Sequence, residues 1–147
     1  MGSRPISEKK FQSLFYRPKF TADDFFRLMI SVMTINGKNV FYSNDLDRIF
    51  QYLYKKASAK KYSFILREVG FRDIGGGEVT CPDLLDAQSR ALICQLIEYG
   101  FLGLDPVPRR ILISLDYAHS WYIKNTWTSS QMKKILKDTG IIPKKTG

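Results

Sequence analysis

The stretch Pro82–Asn125 reads PDLLDAQSRALICQLIEYGFLGLDPVPRRILISLDYAHSWYIKN. Its first part has a helical period. Leu84, Leu85, Leu92, Leu96 and Tyr99 describe one apolar stripe, and Gln88, Ser89, Arg90 and Gln95 fall at more polar positions. Thr80 stands where an N-cap belongs, Pro82 falls in the first turn, and Asp83 takes the capping-box position. Gly100 supplies a stop. The spacing predicts a helix over 83–100. Gly103–Leu104 and Ile111–Leu115 then read as strands, bent apart by Asp105–Pro106–Val107–Pro108, with Arg109 and Arg110 as a charged tip. A further helix over 116–125 would dock Trp121 and Tyr122 on the core. The order is helix, hairpin, helix.

Upstream, Thr21 with Asp24 forms a variant capping box, and the segment from Phe25 to Ile35 has almost no polar face. A helix apolar nearly all round is a buried one. Asn36–Gly37 ends it. Val40–Phe41–Tyr42 suits a small strand. Ser43 or Asn44 then caps a second helix, with Leu46, Ile49, Phe50 and Leu53 at helical spacing and Arg48, Gln51 and Lys55 opposite.

From Lys55 the composition shifts. Lys55, Lys56, Lys60, Lys61 and Arg67 precede the first acid, Glu68, with Tyr52, Tyr54 and Tyr62 interleaved. Amines meet phosphates and rings stack or hydrogen-bond, so this run is a candidate nucleic-acid surface. The alternative is a solvated corner between helices. Tyr62–Val69 suits a short third helix. Arg72–Val79, with Gly75–Gly76–Gly77, reads as a flexible loop, because no Gly-Lys-Ser/Thr follows and no Gly-x-Gly-x-x-Gly opens a helix.

The two ends are basic. Residues 1–20 carry five basic side chains and one acid, with Phe11, Leu14 and Phe15 at helical spacing before Pro18. Thr126–Ser130 reads as a polar joint. A last helix from about Ser129 to Asp138 has Met132, Ile135 and Leu136 on one side and Lys133, Lys134 and Lys137 nearby. By contrast, residues 68–119 hold four basic and eight acidic side chains. The chain as a whole has 147 residues, a formal net charge of +9 and 44% hydrophobic residues, which fits one domain with tails and a real core. A charge of that size favours polyanionic partners.

Several function classes lack material. With a helix over 83–100, Cys94 would lie more than three turns from Cys81, too far for a bridge, and both are expected as free thiols. His119 is the only histidine and has no paired cysteine spacing, so no metal site is expected. Asp45 with Asp47, and Asp83 with Asp86, read as helix N-terminal charges rather than catalytic pairs. No catalytic residue and no cofactor is expected. Met1–Lys10 is polar without a following apolar run, and no stretch of 18 apolar residues occurs, so a cytoplasmic chain with no membrane partner is expected.

Leu96, Gly100, Phe101, Leu102, Arg109, Arg110, Ile111, Ile113, Ser114 and Leu115 together resemble the winged-helix DNA-binding superfamily, in particular MarR-like regulators. In that pattern a recognition helix ends in Leu-x-x-x-Gly followed by two apolar residues, and an Arg-tipped wing leads through a strand into another helix. The resemblance covers about a third of the chain. It implies a mainly α (α+β) fold, with a winged-helix-like domain over 21–125, a basic arm over 1–20 and a C-terminal helix and tail over 126–147. It also implies a small, non-enzymatic transcription regulator that binds double-stranded DNA, a dimer being one possible form. Lys55, Lys56, Lys60 and Lys61 would hold phosphates, Gln88 and Arg90 would read base edges, and Arg109 and Arg110 would enter the minor groove. The alternative is a protein-interaction module or inhibitor that uses the same fold on a protein partner.

Overall fold

The computed structural model describes residues 21–58, 71–76, 78–100, 107–124 and 126–143. The first helix, α1 (Ala22–Ile35), is its centre, packed against the three later helices introduced below. The Thr21 hydroxyl accepts from the Asp24 N–H at 3.2 Å, and the Asp24 carboxylate accepts from the Thr21 N–H at 3.1 Å. Both exchanges satisfy donors that a helix start leaves open. Phe25, Phe26, Leu28, Met29, Ile30, Val32 and Met33 are all buried. The chain turns at Asn36–Gly37, where Gly37 has φ 81°.

Strand β1 (Val40–Phe41) leads into α2 (Ser43–Ser58). Leu46, Ile49, Phe50 and Leu53 are buried as their spacing predicts. Asp45 is more than a helix-end charge. It is buried, accepts the Tyr42 N–H at 2.8 Å and pairs with the Arg48 guanidinium.

Residues 72–80 differ from the expected flexible loop. They form an antiparallel hairpin of β2 (Arg72–Gly75) and β3 (Glu78–Thr80), which packs on α2. Gly75 and Gly76 take φ 93° and 65°, the left-handed values a tight reversal demands. The glycines that suggested looseness are what lets the strands reverse.

Helix α3 spans Pro82–Ile93, shorter than the expected 83–100. Its N-cap is Cys81, without a side-chain cap bond, and Pro82 opens the first turn. The stop comes early through a Schellman arrangement. Leu96 N–H donates to Ala91 O at 2.9 Å and Gln95 N–H to Leu92 O at 3.1 Å, with Gln95 at φ 61°. The segment that continued the apolar stripe is strand β4 (Ile97–Tyr99). Gly100 serves as a point of close approach. Its N–H donates to Pro108 O at 2.7 Å, and a Cβ built there would lie 2.7 Å from Pro108 Cγ.

Gln95 holds a conformation that costs a side-chain-bearing residue about 1 kcal/mol. Gln95→Gly is therefore expected to be neutral to slightly stabilising, by up to about 0.5 kcal/mol, because the added chain entropy offsets most of the relieved strain. Urea unfolding followed by circular dichroism measures this. A lower midpoint in the variant would show that Gln95 has compensating contacts.

Strand β5 (Arg109–Ile111) pairs with β4 on one side and β1 on the other, giving an antiparallel sheet in the order β1-β5-β4. Arg109 and Arg110 therefore lie in the strand rather than at a hairpin tip. Arg110 stands opposite Glu98 and Arg109 opposite Tyr99, pairs that favour this register by charge and by ring contact. Phe41, Ile97 and Ile111 turn their side chains into the core.

Helices α4 (Leu115–Lys124) and α5 (Thr126–Asp138) complete the order. The expected polar joint at 126–130 is the first turn of α5. Met132, Ile135, Leu136, Ile141 and Ile142 join the same hydrophobic cluster as α1. The architecture is thus mainly helical with a small antiparallel sheet. No helix among the described residues is long and apolar enough to cross a membrane. The arm at 1–20, the helix expected over 62–69, the strand expected at Gly103–Leu104 and the end from Lys144 lie outside the described residues.

Candidate nucleic-acid interface

The eight residues singled out by sequence have four different fates. Lys55 and Lys56 lie in the last turn of α2, Lys55 exposed and Lys56 half-buried with its ammonium 5.5 Å from the centre of the Tyr52 ring. The Tyr52 hydroxyl donates to Asp138 Oδ2 at 2.6 Å. That bond joins the C-terminal end of α5 to the middle of α2, one turn before Lys55 and Lys56, and the exposed Lys134 lies one turn before Asp138 on α5. Sequence alone offered the lysines of α5 as a basic helix side, but 86 positions separate the two partners of the joining bond. Lys60 and Lys61 lie outside the described residues.

Gln88 is not available to read a base. It is buried on the α1-facing side of α3, together with Leu84, Ala87 and Ala91, and its Oε1 accepts Arg109 Nε at 3.2 Å. The buried stripe differs from the one the spacing predicts: the chain buries Gln88 and exposes Leu85. Arg90 is exposed, but its Nε donates to Asp23 Oδ1 at 2.8 Å, and that bond holds its proton more firmly than usual. Arg110 is paired with Glu98 across the sheet. Arg109 is half-buried, bonded to Gln88 and to the Val107 carbonyl, with its guanidinium 5.0 Å from the Tyr99 ring centre. The three arginines are thus engaged within the fold. A nucleic acid would have to compete for each of them.

The exposed side of α3 carries Asp83, Asp86, Ser89 and Ile93 beside the neutralised Arg90. Laid in a major groove, that side would set carboxylates against phosphates. Over the described residues thirteen side chains are basic and eleven acidic, a net of +2 against +9 for the whole chain. Within this part Lys55, Lys56, Lys134 and Lys137 lie on the two helices that the Tyr52–Asp138 bond joins, with the Asp138 carboxylate among them.

A cavity of about 180 Å³ opens between α2 and the β2–β3 hairpin, lined by Asp47, Gln51, Ile74, Glu78, Val79 and Thr80. Burial raises the Asp47 pKa, and Glu78 adds to the rise while Arg109 opposes it. Folding therefore disfavours the ionised form of Asp47 relative to the unfolded chain. As pH climbs from the ordinary value of 3.8 through the raised folded one, the unfolded chain releases its proton first and the fold loses stability. Asp47→Asn is expected to raise the unfolding free energy slightly at pH 7, by less than about 1 kcal/mol for so exposed a site, and to match the parent near pH 3. A destabilised Asn variant at pH 7 would mean that the carboxylate makes a needed bond.

Both cysteines are free: Cys81 is buried at the start of α3, and Cys94 is exposed just past its end. Burial pushes the Cys81 thiol up to about 11, so it stays protonated and unreactive at neutral pH. His119 is exposed on α4, and no group of three or more potential metal ligands occurs among the described residues. Comparison with known protein families, characterised proteins and solved structures finds no match to the chain.

Proposed function

We propose that this chain is a non-enzymatic DNA-binding protein of winged-helix type that holds the phosphate backbone rather than reading base edges. The fold part of the proposal rests on element order. A buried helix, a short strand and a second helix are followed, after the β2–β3 hairpin, by α3, a two-strand hairpin and α4. The early strand β1 pairs with that later hairpin and ties the two halves into one sheet. The inserted β2–β3 unit is the departure from a compact winged helix.

The observation that carries the function is the corner made by the Tyr52–Asp138 bond. Lys55 and Lys56 follow Tyr52 by one turn of α2, with the Lys56 ammonium beside the Tyr52 ring, and Lys134 and Lys137 precede Asp138 within the last turns of α5. Ammonium groups so placed neutralise phosphates and release counterions, whatever the base sequence. Lys60 and Lys61 extend the same run along the chain. With Gln88 buried and Arg90 paired, selectivity in a transcription regulator of this kind would come from DNA shape or from a partner.

Fluorescence anisotropy with a labelled duplex of about 20 base pairs tests this between about 50 and 200 mM salt. Affinity is expected to fall with salt, by about 0.9 in the log–log slope for each lysine engaged. Lys55→Ala with Lys56→Ala should reduce the slope by about two. No binding to any duplex at the lower salt, or an unchanged slope in the double variant, would reject the reading.

A further inference from the structure

Helix α4 packs against α1 through one side, where Ala118 is buried and Tyr122 meets the core. Its other side is exposed and carries two rows at i, i+4 spacing. One row is Leu115, His119 and Ile123, the other Asp116, Ser120 and Lys124. Leu115 is 53% exposed and Ile123 74%. We infer that this side is where a second copy of the chain docks, with the two α4 helices antiparallel about a two-fold axis.

The pattern of the two rows selects that occupant. A two-fold contact sets one patch against itself, so each row must complement its own reversal. Reversal sets Leu115 of one copy against Ile123 of the other, and the reverse. It sets Asp116 of one copy against Lys124 of the other in the same way. His119 and Ser120 fall at the axis. A parallel arrangement would oppose Asp116 to Asp116 and Lys124 to Lys124, which like charge disfavours. Among the described residues Asp116 forms no ion pair. The Lys124 ammonium stands 5.8 Å from the centre of the Trp121 ring, a contact that leaves N–H donors for a carboxylate.

The helix dipole also favours an acid in the first turn and a base in the last, as Asp116 and Lys124 are. It gives no reason for two large aliphatic side chains on the solvent side beside them. The acid and the base cancel, so a polyanion gains little from this face, and a partner of one sign is repelled at one end. A second copy meets attraction at both ends. Helix α4 has ten residues, about 15 Å of length. One pair of such helices falls short of the roughly 1,200–2,000 Å² that stable interfaces bury in total. The dimer is therefore weak and concentration-dependent. It uses none of the lysines proposed to hold phosphate.

Sedimentation equilibrium of the full chain without DNA, from about 10 μM to about 1 mM, tests this. The parent is expected to dimerise within that range. Asp116→Lys and Lys124→Asp should each weaken the dimer by about tenfold or more, because each turns two attractive pairs into like-charge pairs. Combining both substitutions in one chain should restore it. So should mixing the two single variants, since the attraction then returns between unlike copies. Ile123→Ser should weaken the dimer by a similar factor through its apolar row. All three positions are exposed, and a thermal melt verifies that the variants remain folded. A second readout needs no variant: amide shifts of the parent on dilution should map to 115–124. Lys55→Ala with Lys56→Ala should leave self-association unchanged, which separates this outcome from that of the DNA test. A monomer throughout the range, dilution shifts confined to other surfaces, or indifference of the dimer to Ile123→Ser would overturn the inference. So would a mixture, or a doubly substituted chain, that associates no more tightly than the single variants.

Discussion

Phe26→Ala is expected to lower the unfolding free energy by about 3–5 kcal/mol, the loss that emptying an aromatic core site produces. Phe26 is 1% exposed and sits in the second turn of α1, the helix on which α3, α4 and α5 all pack. Its ring meets Phe41 edge to face, with centroids 6.0 Å apart. That contact is where the central helix grips the sheet, through a strand only two residues long. Two backbone pairings cannot hold such a strand by themselves. Domains of this size have a net stability of about 5–15 kcal/mol, so the loss is a large share of the total. A cycle of Phe26→Leu, Phe41→Leu and both should give a coupling of about 0.5–1.5 kcal/mol beyond additivity. Urea unfolding of the four proteins measures it. A loss below about 1 kcal/mol in Phe26→Ala would mean that α1 is not the centre of the core.

Much of this architecture could be read from the sequence where one local signal dominates. The Thr21–Asp24 box, the scant polar face of α1 and the spacing of Leu46, Ile49, Phe50 and Leu53 each define an element without outside help. Errors arose where two signals competed. Between Cys94 and Gly100 the helical stripe continues in Leu96 and Tyr99, yet the same residues alternate as a strand, and β5 was there to pair with them. Tertiary pairing decided, with Gln95 accepting a left-handed conformation to make the break. In residues 72–80 the glycines read locally as a loose loop, yet the adjoining strands need them for reversal.

The site was less legible than the fold, for a different reason. Sequence can show that a residue is a cation, but not whether the fold has already given it a partner. Arg90 found Asp23 across 67 positions, and Arg110 found Glu98 only because the strand register placed them opposite each other. The converse also holds: Lys134 and Lys137 gained interest only when Tyr52 joined α5 to α2. Cations on the solvent side of a helix end stay free to meet phosphate. Cations on a sheet with acidic neighbours do not.

Arg109 shows what such an engaged cation does instead, and Arg109→Ala is expected to lower stability by about 2–4 kcal/mol. Its Nε donates to Gln88 Oε1 at 3.2 Å, and Gln88 is only 5% exposed. Removing the guanidinium leaves that carbonyl oxygen without its donor in a nearly dry site, a cost of about 1–3 kcal/mol. Loss of the contact with the Tyr99 ring adds about 0.5–1 kcal/mol. The bond to the Val107 carbonyl goes as well. Lysine is a poor substitute, because one ammonium cannot donate in these directions and lie flat on the ring. The three contacts tie α3, β4 and the start of β5 together, so Arg109 sets how the hairpin stands against the helix. Hydrogen exchange should therefore quicken at the Gly100 amide, which donates to Pro108 O at 2.7 Å and closes the hairpin. Adding Gln88→Leu to Arg109→Ala separates the causes. If the orphaned amide dominates, the double variant recovers about 1–2 kcal/mol, because leucine fills the space and leaves no polar group unmet. If the double variant is no more stable than Arg109→Ala alone, the ring contact and the Val107 bond carry the effect, and the Gln88 bond is incidental to the placement of α3.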